Sequence, residues 1–296
     1  MECPKCLASN EASQQCWKCG IYFTKVKGGR TIQLPVPDTA NSTNSEALDR
    51  FSFTSPVINS VALPLVFILA TLINLVPFFH YIVSFNFGTP IHEFGHAVNC
   101  WMGNIFALPL FLPGTGLTIP IGGKSPIVFF LFAVLNLKFL SYLVLNRFLV
   151  WAILPALMLV GQVVCTLVIS QADLLFFITF GGCGAELYLS TLFVILFYHP
   201  APDRIRWDFF RFIFLVVGAF CFVSAFQLWF RAKHNVYFIP WGSGVTSDRD
   251  AASGDMQSLV AGGWSAFKIA SVYFRTATYC AAVIVGHYFY FLFRRV

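Results

Sequence analysis

The sequence predicts an all-α polytopic membrane protein of about six to seven transmembrane helices, preceded by a small zinc-binding module. The 296-residue chain is 57% hydrophobic and only 11% charged, whereas a soluble domain is about 25% charged. Several apolar segments reach about 20 residues without a formal charge, which is enough for a helix to cross about 30 Å of hydrocarbon. Four of the nine cysteines are packed into the first twenty residues. This composition excludes an ordinary soluble fold for most of the chain.

The N-terminal cysteines form two closely spaced pairs within residues 1–24. The sequence reads CPKC, then nine residues, then CWKC. Such spacing supplies four thiolates for one tetrahedral zinc ion, here from Cys3, Cys6, Cys16 and Cys19. The segment is too short for a hydrophobic core, so metal binding would supply its folding energy. Two disulfides or a redox CxxC pair are the alternatives. A structural zinc site implies a reducing compartment, so the N-terminus is expected in the cytoplasm.

Residues 25–56 are polar and mixed in charge, and they are interpreted as a linker. The predicted domains are therefore a zinc-binding module at 1–24, a linker at 25–56 and a transmembrane domain at 57–296. The net charge of +6 bears on membrane orientation, because Lys and Arg favour cytoplasmic flanks. No nucleic-acid partner is expected.

Six strongly apolar segments predict the membrane crossings. They lie at about 57–79, 126–145, 149–170, 173–198, 209–230 and 266–293. The arginines of the 200–207 loop and of the C-terminus are expected in the cytoplasm. With the N-terminus on the same side, the number of crossings must be even. Six crossings satisfy this if the weaker segment 80–103 does not span, and if it does span, another segment must be re-entrant.

Two connecting segments differ from simple loops. Residues 104–125 are rich in Pro and Gly yet apolar, and at membrane depth such a backbone must be covered by protein or line a wet cavity. A re-entrant loop or a strand-like hairpin is expected there. Residues 231–265 are polar and would face the outside in the six-crossing arrangement. They end with what resembles a short amphipathic helix.

The weaker segment 80–103 carries the sequence His92-Glu93-Phe94-Gly95-His96. Residues i and i+4 of a helix share one face, about 6 Å apart, so His92 and His96 can bind one zinc ion. Glu93 would then lie beside the metal-bound water, whose pKa zinc lowers to about 7. Glu93 could take a proton from this water and pass it to a leaving amine. The motif therefore predicts zinc-dependent hydrolysis.

Two other interpretations of the motif remain. The histidines could belong to a wet polar cap at the membrane surface. They could instead ligate haem, although axial haem ligands must approach from opposite faces of the ring. Ionisable residues inside apolar segments are costly and are usually functional, which favours the zinc site.

A catalytic zinc ion usually has three protein ligands and a water, so a third ligand is needed. Glu186 is the first candidate, because it lies nearly midway along the apolar segment 173–198. Gly182, one turn earlier, would let another helix approach the same face. A protonated Glu186 bonded to a neighbouring helix is the alternative. Asp255 is a weaker candidate, which requires its segment to fold over the site. His80 and Asn99 flank the motif and could orient ligands or substrate.

The apolar HEFGH segment, the Pro/Gly-rich loop after it and the acidic residue in a later membrane helix together resemble the site-2-protease-like intramembrane zinc metalloproteases. The resemblance implies that His92 and His96 are zinc ligands, that Glu93 is the catalytic base, and that cleavage occurs within the membrane. In that family the third ligand is an aspartate in an Asp-Gly motif, and this sequence contains no Asp-Gly. The Gly-x-x-x-Glu arrangement ending at Glu186 is more similar to the third-ligand pattern of glutamate-type zincins. The CPKC…CWKC segment resembles the zinc ribbons of many bacterial membrane proteins, which implies a bacterial inner membrane.

The leading functional hypothesis is a membrane-embedded zinc endopeptidase that hydrolyses peptide bonds in or near the bilayer. It would use one catalytic and one structural Zn²⁺, act on a membrane protein or peptide, and contact a protein partner through the zinc ribbon. A metal-binding transporter or a non-catalytic scaffold is the alternative, with His92, His96 and Glu186 holding an ion in transit. A membrane enzyme that acts on lipids through the same zinc chemistry is a third possibility.

Overall fold

The computed structural model describes residues 55–112, 115–202, 209–241 and 254–293. These residues belong to one unit, Asp49–Val296. The predicted zinc ribbon, with Cys3, Cys6, Cys16 and Cys19, and the linker both lie outside the described residues.

The described chain is mostly helical, with one small sheet. In order, the elements are α1 (Pro56–Asn74), α2 (Pro77–Val83), a π-helical turn (Ser84–Gly88), α3 (Thr89–Met102), β1 (Phe106–Leu112), β2 (Thr115–Ile121), α4 (Pro126–Leu145), α5 (Leu149–Leu167), α6 (Gln171–Leu196), α7 (Phe210–His234), a 3-10 turn (Val236–Phe238), α8 (Asp255–Ala261) and α9 (Ala266–Phe293). Six of these helices, namely α1, α4, α5, α6, α7 and α9, are long and apolar enough to cross a membrane. This architecture is consistent with the predicted polytopic membrane class.

Capping residues explain where several of these helices begin. Ser55 precedes α1, and its hydroxyl accepts a hydrogen bond from the Ile58 N–H. Ser170 does the same for α6 by accepting from the Asp173 N–H at 3.1 Å. Proline occupies the first turn of α1, α2, α3 and α4, where its missing N–H costs nothing.

The helices α4 and α5 carry exposed large apolar side chains, whose contact with water would be unfavourable. Ile127 is 78% exposed, Leu145 81% and Leu167 78%. Contiguous apolar surface of this kind on a folded chain marks a contact with lipid or protein. The surface therefore agrees with the sequence in placing these helices in a bilayer.

The Pro/Gly-rich segment 104–125 folds as a β-hairpin, so the strand-like expectation is confirmed. Strands β1 and β2 pair antiparallel, with Phe106 opposite Ile121 and Leu110 opposite Leu117. The pairing satisfies backbone groups that would otherwise be costly at membrane depth. Within the described residues, this hairpin is the one departure from the predicted all-α class.

Residues 80–103 and the described end of the segment 231–265 contain helices. Residues 80–103 form the end of α2, the π-helical turn and α3, and none of these pieces is among the six long apolar helices. The predicted amphipathic helix near the end of 231–265 is α8, which buries Met256 and Leu259.

Helix α6 lies at the centre of the bundle, where it packs against α3, α7 and α9. Leu187 of α6 is fully buried in the largest apolar cluster, together with Trp229 of α7 and Tyr273 of α9. The rings of Trp229 and Tyr273 stack with centroids 4.1 Å apart. Helix α3, which carries the HEFGH motif, therefore packs against the central helix of the bundle.

A histidine pair formed by His199, just after α6, and His287, near the end of α9, predicts a pH-dependent stability. The Nε2 atoms of His199 and His287 lie 3.3 Å apart. Burial and the neighbouring His287 lower the pKa of His199 from 6.5 to about 4. Since the unfolded chain binds a proton at this residue below pH 6.5 and the folded chain does not, stability is lost as the pH falls from 6.5 towards 4.

We expect a His199→Asn variant to lose part of this pH dependence. The rise in Tm between pH 5 and pH 7 should shrink by roughly 2–4 °C, the shift that about 1 kcal/mol produces after allowance for solvent screening. Differential scanning fluorimetry at both pH values measures it. A His234→Gln variant is the control, since His234 is exposed at the other end of the bundle. An unchanged rise in the His199 variant would contradict this account.

Candidate metal centre

Helix α3 presents the two histidines of the motif side by side. It follows directly on the π-helical turn Ser84–Gly88, a distortion that often occurs at functional sites. The Nε2 atoms of His92 and His96 lie 3.1 Å apart. The i, i+4 spacing has thus brought both rings to one point, as the sequence predicts.

Asp255, the first residue of α8, completes a triangle with these two rings. Its Oδ2 lies 3.0 Å from His92 Nε2 and 3.1 Å from His96 Nε2. This oxygen is buried and has no hydrogen-bond donor among the described residues. Three donor atoms from two distant parts of the sequence therefore converge within 3.1 Å of one another.

The hydrogen bonds on the far side of each ring favour the tautomer that leaves Nε2 unprotonated when the imidazole is neutral. His96 Nδ1 donates to the carbonyl oxygen of Ile178 at 2.8 Å, and His92 Nδ1 donates to Glu186 Oε1 at 3.0 Å. A neutral imidazole carries one proton, so both Nε2 atoms present a lone pair. Together with the carboxylate oxygen of Asp255, three electron pairs face one another, and a cation among them would relieve their repulsion.

The pKa of Asp255 depends on the protons of the neighbouring rings. Burial raises it, whereas protons on the His92 and His96 rings would hold it below its ordinary range. A bound metal would replace such protons, because it needs neutral imidazole and an ionised carboxylate as ligands.

Gly182 of α6 forms the back of the triangle. A methyl group added there would lie 2.5 Å from His92 Nε2 and 2.7 Å from Asp255 Oδ2, and it would also press on His96 Nε2. The missing side chain is thus what lets the three donor atoms meet. The sequence predicts close helix approach at this glycine, and in the structure the space is occupied by side-chain atoms of His92, His96 and Asp255.

We expect Gly182→Ala to destroy this centre without unfolding the bundle. The methyl group cannot coexist with the three donor atoms at their present positions, so metal affinity should fall by about 100-fold or more, the upper end of what perturbing the groups around a metal site costs. Metal titration of the purified protein measures it. Gly286→Ala is the matched control, since Gly286 lies in the membrane helix α9 with open space around it. Equal metal affinity of the two variants would contradict this geometry.

Glu93 is held against the hairpin. Its side chain is 8% exposed, and the hydroxyl of Thr118 on β2 lies 2.8 Å from both its Oε2 and its backbone oxygen. Gly116 on the same strand leaves no room for a side chain, because an added methyl would lie 3.0 Å from Glu93 Oε1 and closer still to its Cγ. The strand therefore fixes the carboxylate and leaves Oε1 free of this hydrogen bond.

A cavity of about 680 Å³ opens onto these groups. Among the residues that line it are His92, Glu93, His96, Glu186 and Asp255. Volumes of 300–1,000 Å³ are typical of ligand pockets. The cavity is therefore large enough for water and a small ligand beside the candidate metal position.

Glu186, the first-ranked third ligand in the sequence, meets His92 from the opposite side. Its carboxylate accepts from Nδ1, whereas the triangle uses Nε2. The geometry therefore favours Asp255 as the third ligand and gives Glu186 the role of orienting the ring. The group His92, Cys183 and Glu186 also lies close enough to hold an ion, but it would have to replace the proton on Nδ1.

The two flanking polar residues are placed differently from each other. Asn99 donates to the carbonyl oxygen of Phe177 at 2.6 Å and so helps dock α3 on α6. His80 lies 2.9 Å from Asn74 Oδ1 and lines the same cavity as the motif. Burial lowers the pKa of His80, and the charge of Arg231 lowers it further, so His80 is neutral at neutral pH.

Sequence reasoning missed the contribution of the hairpin. The contact between Thr118 and Glu93 joins residues whose proximity depends on the register of two short strands. The one residue in the sequence that could have indicated this contact is Gly116, because glycine in a strand often marks a close approach of another group to the backbone.

Comparison with protein-family models, with curated proteins and with solved structures gives no match.

Proposed function

We propose that this chain is a membrane-embedded zinc metalloprotease that hydrolyses peptide bonds in or near the bilayer. The observation that carries the proposal is the triangle of His92 Nε2, His96 Nε2 and Asp255 Oδ2, with edges of 3.0–3.1 Å. It lies on the same cavity as the buried carboxylate of Glu93.

The donor set fits zinc. Two imidazole nitrogens and one carboxylate oxygen, with room for a water, make a catalytic type of site. At bond lengths of about 2.0–2.1 Å, tetrahedral ligands lie about 3.3 Å apart, and the observed separations are close to this value. Zinc bound by these three residues would lower the pKa of a bound water to about 7 and polarise the substrate carbonyl.

The remaining residues supply proton transfer and positioning. Glu93 takes the proton from the attacking water and delivers it to the leaving amine. Thr118 holds Oε2 of Glu93, so Oε1 remains available for the proton. Glu186 and the Ile178 carbonyl keep both histidine rings in the tautomer that presents Nε2. Hydrogen bonds within the chain therefore orient both the two histidine ligands and the proposed base Glu93.

A metal-ion carrier is the second candidate function. The observation in its favour is the adjacent group of His92, Cys183 and Glu186, which shares His92 with the first triangle. Because both groups of metal-binding residues include the His92 ring, an ion could pass from one group to the other. In such a carrier, Glu93 would have no essential role.

The remaining parts of the proposal, which concern the second zinc ion, the partner, the membrane and the substrate, are based on the sequence. The proposal includes a structural Zn²⁺ held by Cys3, Cys6, Cys16 and Cys19, a protein partner at this ribbon, and a bacterial inner membrane with the N-terminus in the cytoplasm. The substrate would be a membrane protein or a peptide that reaches the bilayer.

Metal analysis of the purified full chain tests the proposal. We expect two zinc ions per chain, falling to one in the His92→Ala/His96→Ala variant and to one in the Cys16→Ser/Cys19→Ser variant. Mass spectrometry of metals against protein concentration gives the ratio. The cysteine variant shows that the two sites are lost independently. A histidine variant that still carries two zinc ions would overturn the catalytic assignment.

A further inference from the structure

A second cavity lies away from the metal centre, between the C-terminal end of α7 and the N-terminal part of α9. It is a groove of about 420 Å³ lined by Lys233, Phe267, Lys268, Ser271, Phe274 and Arg275. Lys233 is one residue from the end of α7, and Lys268 is two residues from the start of α9. The groove therefore lies at one end of the bundle, where two membrane-spanning helices would reach the membrane–water boundary.

Three cationic side chains gather in this groove. Lys233 Nζ donates to Ser271 Oγ at 2.9 Å and lies 4.2 Å from the centre of the Phe267 ring. Arg275, one turn deeper on α9, turns back and its Nε donates to the Ser271 carbonyl at 3.4 Å. Lys268 lies 4.5 Å from the centre of the Trp264 ring. Positive charge is thus brought together around Ser271.

These three cations have no carboxylate partner among the residues that the structure describes. In the described ranges, every ion pair involves His92 or His96 with Glu186 or Asp255. Long Lys and Arg side chains near the ends of membrane helices extend to the interface, where anionic lipid headgroups lie. An anion from outside the described chain would neutralise the cluster.

An aromatic wall continues from the cations towards the middle of the bilayer. Phe274 of α9 packs against Phe226 and Phe230 of α7, with ring centroids 6.2 and 6.0 Å away. The groove thus combines a cationic mouth with an apolar wall along the helices. A free inorganic anion would use only the mouth, whereas an amphiphile would use both parts.

We propose that this groove binds an anionic phospholipid, with the headgroup phosphate at Lys233, Ser271 and Arg275 and an acyl chain along Phe274. Basic pockets between transmembrane helices bind anionic headgroups in this way. The bound lipid would fasten α9 to α7. This inference is independent of the proposed protease function, because none of its residues belongs to the metal centre.

Native mass spectrometry of the full chain in detergent tests this proposal. The probes are dioleoyl phosphatidylglycerol, phosphatidylcholine with the same acyl chains, and inorganic phosphate. We expect one phosphatidylglycerol to bind and to raise Tm. Removing a cation should weaken its binding about fivefold, as expected from about 1 kcal/mol per charge near an anionic surface, so Lys233→Gln/Arg275→Gln should lose more than tenfold.

Two control variants make the result specific. Lys233→Arg/Arg275→Lys keeps both charges and should retain binding, which also shows that the groove tolerates substitution. Arg231→Gln removes a charge from the same end of α7 outside the groove and should bind as the unmodified chain does. Equal binding of phosphatidylcholine would overturn the proposal. So would an equal rise in Tm with inorganic phosphate, or unchanged phosphatidylglycerol binding by the Lys233→Gln/Arg275→Gln variant.

Discussion

A Glu93→Gln variant is expected to lose about 10³-fold in peptide hydrolysis, within the range of 10²–10⁴ that general acid–base catalysis contributes. The amide keeps the size and the hydrogen bond with Thr118, so the hairpin contact should survive. It cannot accept the proton of the attacking water. The measurement is cleavage of a fluorescent membrane peptide by protein reconstituted in vesicles.

The same variant separates the two candidate functions. A protease should retain both zinc ions while losing turnover, because Glu93 is no part of the donor triangle. A carrier should retain ion flux into the vesicles, measured with a zinc-sensitive dye inside them. Thr118→Val is the companion variant, since it loosens the carboxylate without removing it and should cost less than the glutamine. Full hydrolysis by the Glu93 variant would end the protease proposal.

Replacing Asp255 and Glu186 separately should give unequal effects on zinc. Asp255→Asn removes the third donor, so we expect loss of the catalytic zinc and at least about 10³-fold lower activity, since zinc generates the nucleophile. Glu186→Gln replaces the carboxylate that accepts from His92 Nδ1 with a neutral amide, which is a weaker acceptor, and it leaves the triangle intact. We expect it to keep the zinc with affinity weakened by 10–100-fold, as for other groups that orient metal ligands.

Competition with a chelator of known affinity gives both constants. The fold already buries the amide side chains of Asn59, Asn74 and Asn99. A buried asparagine at position 255 is therefore expected to be tolerated. Asp173→Asn is the matched control, because that carboxylate lies at the start of α6 and bonds only with Ser170 in the described structure. If Glu186→Gln removes the zinc and Asp255→Asn does not, the ligand assignment must be reversed.

The sequence predicts the local parts of the site well. The i, i+4 spacing of His92 and His96 fixes their proximity on any helix, and the small residue at 182 indicates where another element approaches. The hairpin also follows from local chemistry, because Pro and Gly exclude a continuous helix across 104–125. Each of these inferences depends only on residues close together in the chain.

The choice between Glu186 and Asp255 could not be made from sequence. The sequence favours Glu186 as the third ligand because a carboxylate inside an apolar helix needs a partner. In the structure this partner is Nδ1 of His92, whereas the triangle contains Nε2. A sequence cannot tell which ring nitrogen an acid will meet. Asp255 lies in a polar segment, and its position depends on how α8 buries Met256 and Leu259 in the bundle. That is a tertiary effect without a local signal.

The placement of Asp255 also has a consequence for synthesis. The two histidines leave the ribosome long before residue 255, and α8 is held by apolar contacts that include Tyr273 of the last helix. A nascent chain that has inserted only its first five membrane helices lacks the third donor. Under the proposed function, hydrolytic activity would therefore arise late in translation, and unfinished copies would not cleave neighbouring proteins in the membrane.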